Sequence, residues 1–240
     1  MCGRFVATSS PASIAQWLDA VVDPDLVDIG ARYNVAPMSM ITAVNAGVNA
    51  GVNAGERRLG AYRWGLLPAW SNDPRSGARM INARAETLAD KPSFRNLISA
   101  YRCVVPMDGF YEWAAPPAGS TTKIPFLIRS RTDAPLFVAG LWTTWQGRDQ
   151  SATTIRSATI ITCEANADLS NVHHRMPVIL DADRLDVWLD GSIDDRGALM
   201  SVLGPAGDGL LELRRVSTDV NNARNEGPHL IEPYDTGHRA

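Results

Sequence analysis

The chain has 240 residues, 45% hydrophobic and 20% charged, enough to bury a substantial core in one large domain. Its formal charge of -3 and pI near 5.8 exclude a global positive field, so any contact with nucleic acid must come from local clusters of cations. Three cysteines, Cys2, Cys103 and Cys163, lack the paired short spacing of a zinc site and the even count of a disulfide framework; no metal and no cofactor is expected. No signal-peptide pattern and no run of about 18 apolar residues occurs. The expected compartment is therefore the cytoplasm, or the nucleus in a nucleated cell.

The first feature in chain order is Met1-Cys2-Gly3-Arg4. Removal of one residue leaves an N-terminal cysteine, whose α-amine and thiol titrate near ~8.0 and ~8.5 in model compounds. Such a 1,2-aminothiol attacks an aldehyde first through nitrogen and then through sulfur, closing a thiazolidine ring. A plain N-terminal residue is the competing reading. Ser9-Ser10-Pro11 opens a helix whose apolar stripe, Ile14, Trp17, Leu18 and Val21, extends it to about Val22.

Strand character follows at Met40–Val44, Arg57–Trp64, Arg102–Pro106, Phe110–Trp113, Pro125–Ser130, Leu136–Trp142, Thr159–Cys163 and Leu211–Ser217. Short helices are predicted over Ser93–Ala100, Ala182–Leu189 and Asp194–Leu203. The pattern predicts an α+β fold, one domain over 1–240, with a mostly antiparallel sheet or barrel core and peripheral short helices. An Asn-Ala-Gly-Val repeat at about 45–55 reads as a low-complexity hairpin loop, and the Pro- and Gly-rich stretch Ala114–Thr122 as a second loop.

Four further clusters are candidates for chemistry. In Ile81-Asn82-Ala83-Arg84-Ala85-Glu86 the alternation puts Asn82, Arg84 and Glu86 on one face of an extended segment, either a ligand face or a wet edge strand. In Asp108-Gly109-Phe110-Tyr111-Glu112-Trp113 a carboxylate stands among aromatics, suited to proton transfer if buried and unremarked if it faces water. Val172-His173-His174-Arg175-Met176-Pro177 holds two of the four histidines. Adjacent residues of a strand face opposite ways, so one histidine, His173, is expected to reach a site and His174 to be a bystander. The aromatics of Tyr33-Asn34-Val35-Ala36-Pro37 and Trp64-Gly65-Leu66-Leu67-Pro68-Ala69-Trp70 either stack on unpaired bases or fill a core.

Together with Val220-Asn221 and Leu230-Ile231-x-Pro233, these motifs resemble, in order and over nearly the whole chain, the SRAP (SOS response-associated peptidase) family; the repeat at 45–55 is the main departure. The resemblance implies recognition of abasic sites in single-stranded DNA and a covalent thiazolidine crosslink through Cys2. Asn82 would orient the reacting groups, while Glu112 and His173 would move protons. DNA contacts are implied at Arg4, Asn34, Pro37, Trp64, Pro68, Trp70, Arg84 and Arg175, with the protein acting as a monomer. Met1 would be lost by self-processing or to an aminopeptidase, and a lyase side activity is left open. Two rivals remain: a glutamine amidotransferase-like N-terminal cysteine amidohydrolase, and a noncatalytic single-strand-binding module.

Overall fold

The computed structural model describes residues 2–46, 55–146 and 154–234. Two sheets organise them. The strands of the larger are β2 (Ala20–Val22), β4 (Met40–Ala46), β5 (Arg57–Trp64), β6 (Asn82–Arg84), β7 (Arg102–Met107), β10 (Leu136–Trp145), β11 (Ile155–Glu164) and β12 (Arg175–Pro177). Antiparallel pairing runs β5, β4, β7, β10, β11, and β11 returns in parallel to β5 through Ser157 with Arg63 and Ala158 with Trp64. The ring closes, a barrel-like core without a free edge inside it. The smaller sheet is wholly antiparallel, in the order β13 (Leu211–Arg215), β9 (Ile124–Ser130), β8 (Gly109–Ala114), β1 (Phe5–Ala7), β3 (Arg32–Val35).

β7 and β8 are separated only by Asp108, so the chain leaves the barrel and enters the second sheet in one step. The main core lies between the two layers and includes Phe5, Trp64, Phe110 and Trp188. A smaller cluster of Val6, Tyr111, Leu127, Val216, Val220 and Leu230 covers the other face of the second sheet. Three short α-helices are peripheral: α1 (Pro11–Trp17), α2 (Ala182–Leu189) and α3 (Arg196–Ser201).

The expected mostly antiparallel α+β architecture is what forms. Three local readings are corrected. The first helix stops at Trp17: Asp19 takes φ 47°, the Arg57 guanidinium caps the Leu18 carbonyl at 3.2 Å, and β-branched Val21 and Val22 join β2 beside β5 instead of extending the helix. Residues 93–100 form successive turns and no helix, and at their end the carbonyls of Ile98 and Ser99 accept from the guanidinium of Arg102 at 2.8 and 2.6 Å. Glu86 leaves the extended line of Asn82–Arg84 and falls in a 3-10 turn, Ala85–Thr87. Of the repeat at 45–55, Asn45 and Ala46 end β4 and Gly55 lies in a turn; positions 47–54 lie outside the described residues.

Arg102 is 1% exposed, and its guanidinium also holds the carbonyls of Trp188 (2.7 Å) and Asp190 (2.5 Å), tying α2 to the barrel. Arg102→Met keeps the apolar stem but leaves four carbonyls without that donor. It is expected to cost about 3 kcal/mol or more, read as a lower urea midpoint at unchanged m-value.

Candidate functional site

The site is assembled on the last third of β11. On one side β6 runs parallel to it, Asn82 beside Ile160 and Arg84 beside Thr162; on the other β12 pairs Pro177 with Thr162 and Arg175 with Glu164. Asn82 and the His173–Arg175 segment are thereby brought to the same end of one strand from opposite edges, although 91 positions separate Asn82 from His173. Cys2 and Glu112 come from the second sheet. Phe5 pairs with Phe110 and the Tyr111 amide donates to the Arg4 carbonyl at 2.9 Å, so Glu112 follows directly alongside the approach to Cys2.

Cys2 is fully buried. Its carbonyl accepts from Asn82 Nδ2 at 2.7 Å, while Asn82 Oδ1 is buried with no hydrogen-bond partner among the described residues. Orphaned buried oxygens are rare enough to need a reason, and one beside a nucleophile has an obvious use in holding an N–H or O–H of a reactant. Burial, and after it the nearby Glu112 carboxylate, push the Cys2 thiol well above the usual thiol range. Glu112 itself is 3% exposed, so the wet-strand alternative for it falls away.

His173 is half-buried in the loop before β12. Burial holds its imidazole below the ordinary value, with the Glu112 carboxylate opposing that shift, so the ring is neutral at pH 7. The pair of histidines is not on a strand: the rings of His173 and His174 stack side by side, centroids 4.5 Å apart at 23°. The alternation argument therefore does not apply, and His174 is a packing partner of His173 and not a residue turned away from it.

The positions implied as DNA contacts divide in two. Arg84 is exposed and, with Glu164, Ala165, Ser170, His174 and Arg175, lines an open groove of about 430 Å³. Trp70 is 69% exposed. Pro37 is half-exposed in the turn after β3. The rest serve the fold in this conformation. Trp64 has no exposure, meets Phe5 edge-on at 5.2 Å and donates from Nε1 to the Ile81 carbonyl at 2.9 Å: a core residue, not a stacking platform. Asn34 is also fully buried, its Oδ1 accepting from Arg4 and its Nδ2 donating to the carbonyls of Val220, Asn222 and Asn225, so it fastens the C-terminal segment. Pro68 is buried in the turn that presents Trp70. That turn rests on the close approach of Gly65 and Gly77, where a Cβ on Gly65 would stand 2.7 Å from the Gly77 carbonyl oxygen.

Arg4 bonds to Asn34 Oδ1 (2.8 Å) and the Val220 carbonyl (3.0 Å), with its guanidinium 6.0 Å above the Trp113 ring. Arg175 is 7% exposed and grips both carboxylate oxygens of Glu86 and the Thr162 carbonyl. Asp108 was missed as a determinant of the site. Its carboxylate accepts from the amides of Thr8 (2.5 Å) and Ser9 (2.9 Å) and from Ser9 Oγ (2.5 Å), anchoring β1 from a hundred residues away, a partnership with no local signature.

Against this geometry, the model of the SOS response associated peptidase (SRAP) family matches residues 1–223. The chain belongs to the SRAP family. Abasic site processing protein YoqW of Bacillus subtilis is 38% identical over 237 residues, covering 98% of this chain and all of the relative. Abasic site processing protein HMCES of Gallus gallus is 33% identical over 205 residues, 76% of this chain and 59% of that one. A solved structure from Bacteroides thetaiotaomicron shares the SRAP chain's fold at a TM-score of 0.80 and 23% identity, covering 97% of this chain and 100% of its own. Among the described residues no helix is long and apolar enough to cross a membrane.

The depressed proton affinity of His173 carries a stability consequence. Below the ordinary value of 6.5 the unfolded chain binds a proton here that the folded chain refuses, so the contribution of this residue weakens as pH falls through that value and is constant above it. The urea midpoint of the parent should fall more steeply between pH 7 and pH 5 than that of His173→Gln; parallel curves would contradict the assignment.

Proposed function

We propose that this protein captures abasic sites in single-stranded DNA by closing a thiazolidine between Cys2 and the ring-opened sugar aldehyde, after loss of Met1. One observation carries the reading: Cys2 is anchored by Asn82 and lies within the electrostatic reach of Glu112, which also acts on His173. The names of the relatives, abasic site processing proteins, support the substrate class, and the family match leaves an amidohydrolase reading without support.

The buried thiol is held protonated, so nitrogen reacts first. The freed α-amine adds to C1′ of the aldehyde and a C–N bond forms; the Glu112–His173 pair takes the two amine protons in turn and passes them to the aldehyde oxygen, which leaves as water as the C–O bond breaks. The resulting imine carbon is then attacked by sulfur. The thiol proton passes to the same pair and on to the imine nitrogen, giving a saturated ring with C–S and C–N bonds. Strand cleavage by β-elimination is the competing fate of the imine, and closure by sulfur suppresses it. Asn82 Oδ1 is placed to orient the reacting nitrogen. Arg84 offers an exposed cation to backbone phosphate, and Trp70 an exposed ring to an unpaired base.

The parent mixed with single strands containing an abasic site is expected to give a band that survives denaturing electrophoresis, mapping to the N-terminal peptide and absent with intact strands. Cys2→Ala should lose it, as should prior reduction of the aldehyde; an undiminished band from Cys2→Ala would overturn the reading. Removal of Met1 by the protein itself is the further part of this proposal, with Glu112 assisting. Intact-mass measurement of Glu112→Gln expressed beside the parent is expected to show Met1 retained in the variant only, and equal loss from both would assign the step to an aminopeptidase.

A further inference from the structure

The loop that carries His173 lies outside any helix or strand, so no ladder fixes its ring. Besides the stacked His174 ring, residue 175 holds it at Nδ1. The Arg175 amide donates to His173 Nδ1 at 2.9 Å, and the carbonyl of the same residue is 3.1 Å from that nitrogen. An amide N–H can only donate, so the neutral ring accepts at Nδ1 and carries its proton on Nε2. That amide belongs to β12, where Arg175 pairs with Glu164 of β11, and the Arg175 side chain is a second anchor on the same residue.

That side chain is 8% exposed and forks onto Glu86, Nη1 to Oε1 at 2.6 Å and Nη2 to Oε2 at 2.9 Å, with Nη2 also donating to the Thr162 carbonyl of β11 at 2.6 Å. A two-point fork fixes direction as well as charge. Glu86 stands in the 3-10 turn directly after β6, the strand that carries Asn82. One ion pair therefore ties the Asn82 strand to the His173 loop across β11.

We infer that Glu86 is a positioning residue, which through Arg175 sets the tautomer and the aim of His173. The inference rests on the proton-carrying role proposed for His173, and it assigns Glu86 work beyond that of a surface ion pair, which exposure of 45% would otherwise suggest.

Two measurements on the full chain test it. Ring nitrogen–proton correlation spectra without DNA should show the parent His173 as a single Nε2–H tautomer, and Glu86→Gln as a mixture. The rate of adduct formation on abasic single strands should fall about 10- to 100-fold in Glu86→Gln, the scale of a misaimed catalytic group, with part of both signals restored in Glu86→Asp. An unchanged ring spectrum in Glu86→Gln overturns the inference, whether or not the rate falls. Should that variant fail to fold, the ring spectrum of Glu86→Asp decides by the same criterion: a mixed tautomer supports the inference and the parent spectrum overturns it. Failure of the parent to form any adduct would instead sink the proposed function, while the ring spectra would still decide the link from Glu86 to His173.

Discussion

The chemistry available to this protein depends on holding its first few residues still. Chain ends ordinarily fray, because few contacts offset the entropy of ordering them. Here a three-residue strand is trapped between two neighbours, Phe5 pairing with Phe110 on one side and Val35 on the other. Its far end is clamped by the three donors that converge on Asp108, and its near end by the Arg4 side chain reaching Asn34 and Val220. These bonds add to the two strand ladders and to the burial of Phe5 and Val6, and together they offset the cost of ordering the segment. Cys2 is consequently a built part of the core although it stands at the start of the chain.

The second constraint is closure of the barrel. β11 pairs with β10 and β5 along its first half; β5 ends at Trp64, and β10 leaves β11 after the Gly140–Ile160 pair to bond instead with residues 178–180. The last residues of β11 thus have two unpaired edges, which β6 and β12 take up as three-residue strands. Neither is stable alone; each exists because β11 offers it a backbone template. The arrangement explains why Asn82 and Arg175 belong to short strands that meet at Thr162, and why residues so far apart in sequence come to one end of β11.

That dependence marks the limit of what was legible beforehand. Long strands with β-branched and aromatic runs, such as Arg57–Trp64 and Arg102–Met107, were readable from local pattern, as was α2, whose Asp181 cap accepts from the Arg184 amide. The short strands β1, β2 and β3 were not, and β6 and β12 were readable only as extended segments, since the pairing of all five is dictated by partners distant in sequence and not by propensity. Among candidate site residues, Cys2, Asn82, Glu112 and His173 carry reactive groups that announce themselves, and the fold brings them to one end of β11. Asn34 and Trp64 looked equally eligible, yet both lie at full burial. An amide or an indole in a motif reads the same whether it faces ligand or closes a core, and of the pair Trp64 and Trp70 it is Trp70, left outside by the Gly65–Gly77 approach, that keeps an exposed ring.

Burial of the nucleophile sets the order of its reactions. A thiol in contact with water near neutral pH is partly thiolate and open to oxidation and to any passing electrophile. Desolvation and the Glu112 carboxylate both oppose ionisation of Cys2, so sulfur is quiet until a proton acceptor is brought into line. The site thus makes sulfur conditional. In the proposed reaction imine formation would change the balance: it would place an electrophilic carbon next to the sulfur, and the proton released in forming the C–S bond would have Glu112 and His173 to receive it. On that proposal, an aldehyde that remains long enough to form the imine is the one the sulfur would lock, and a nucleophile kept neutral by its surroundings would be reserved for a carbonyl already held in place.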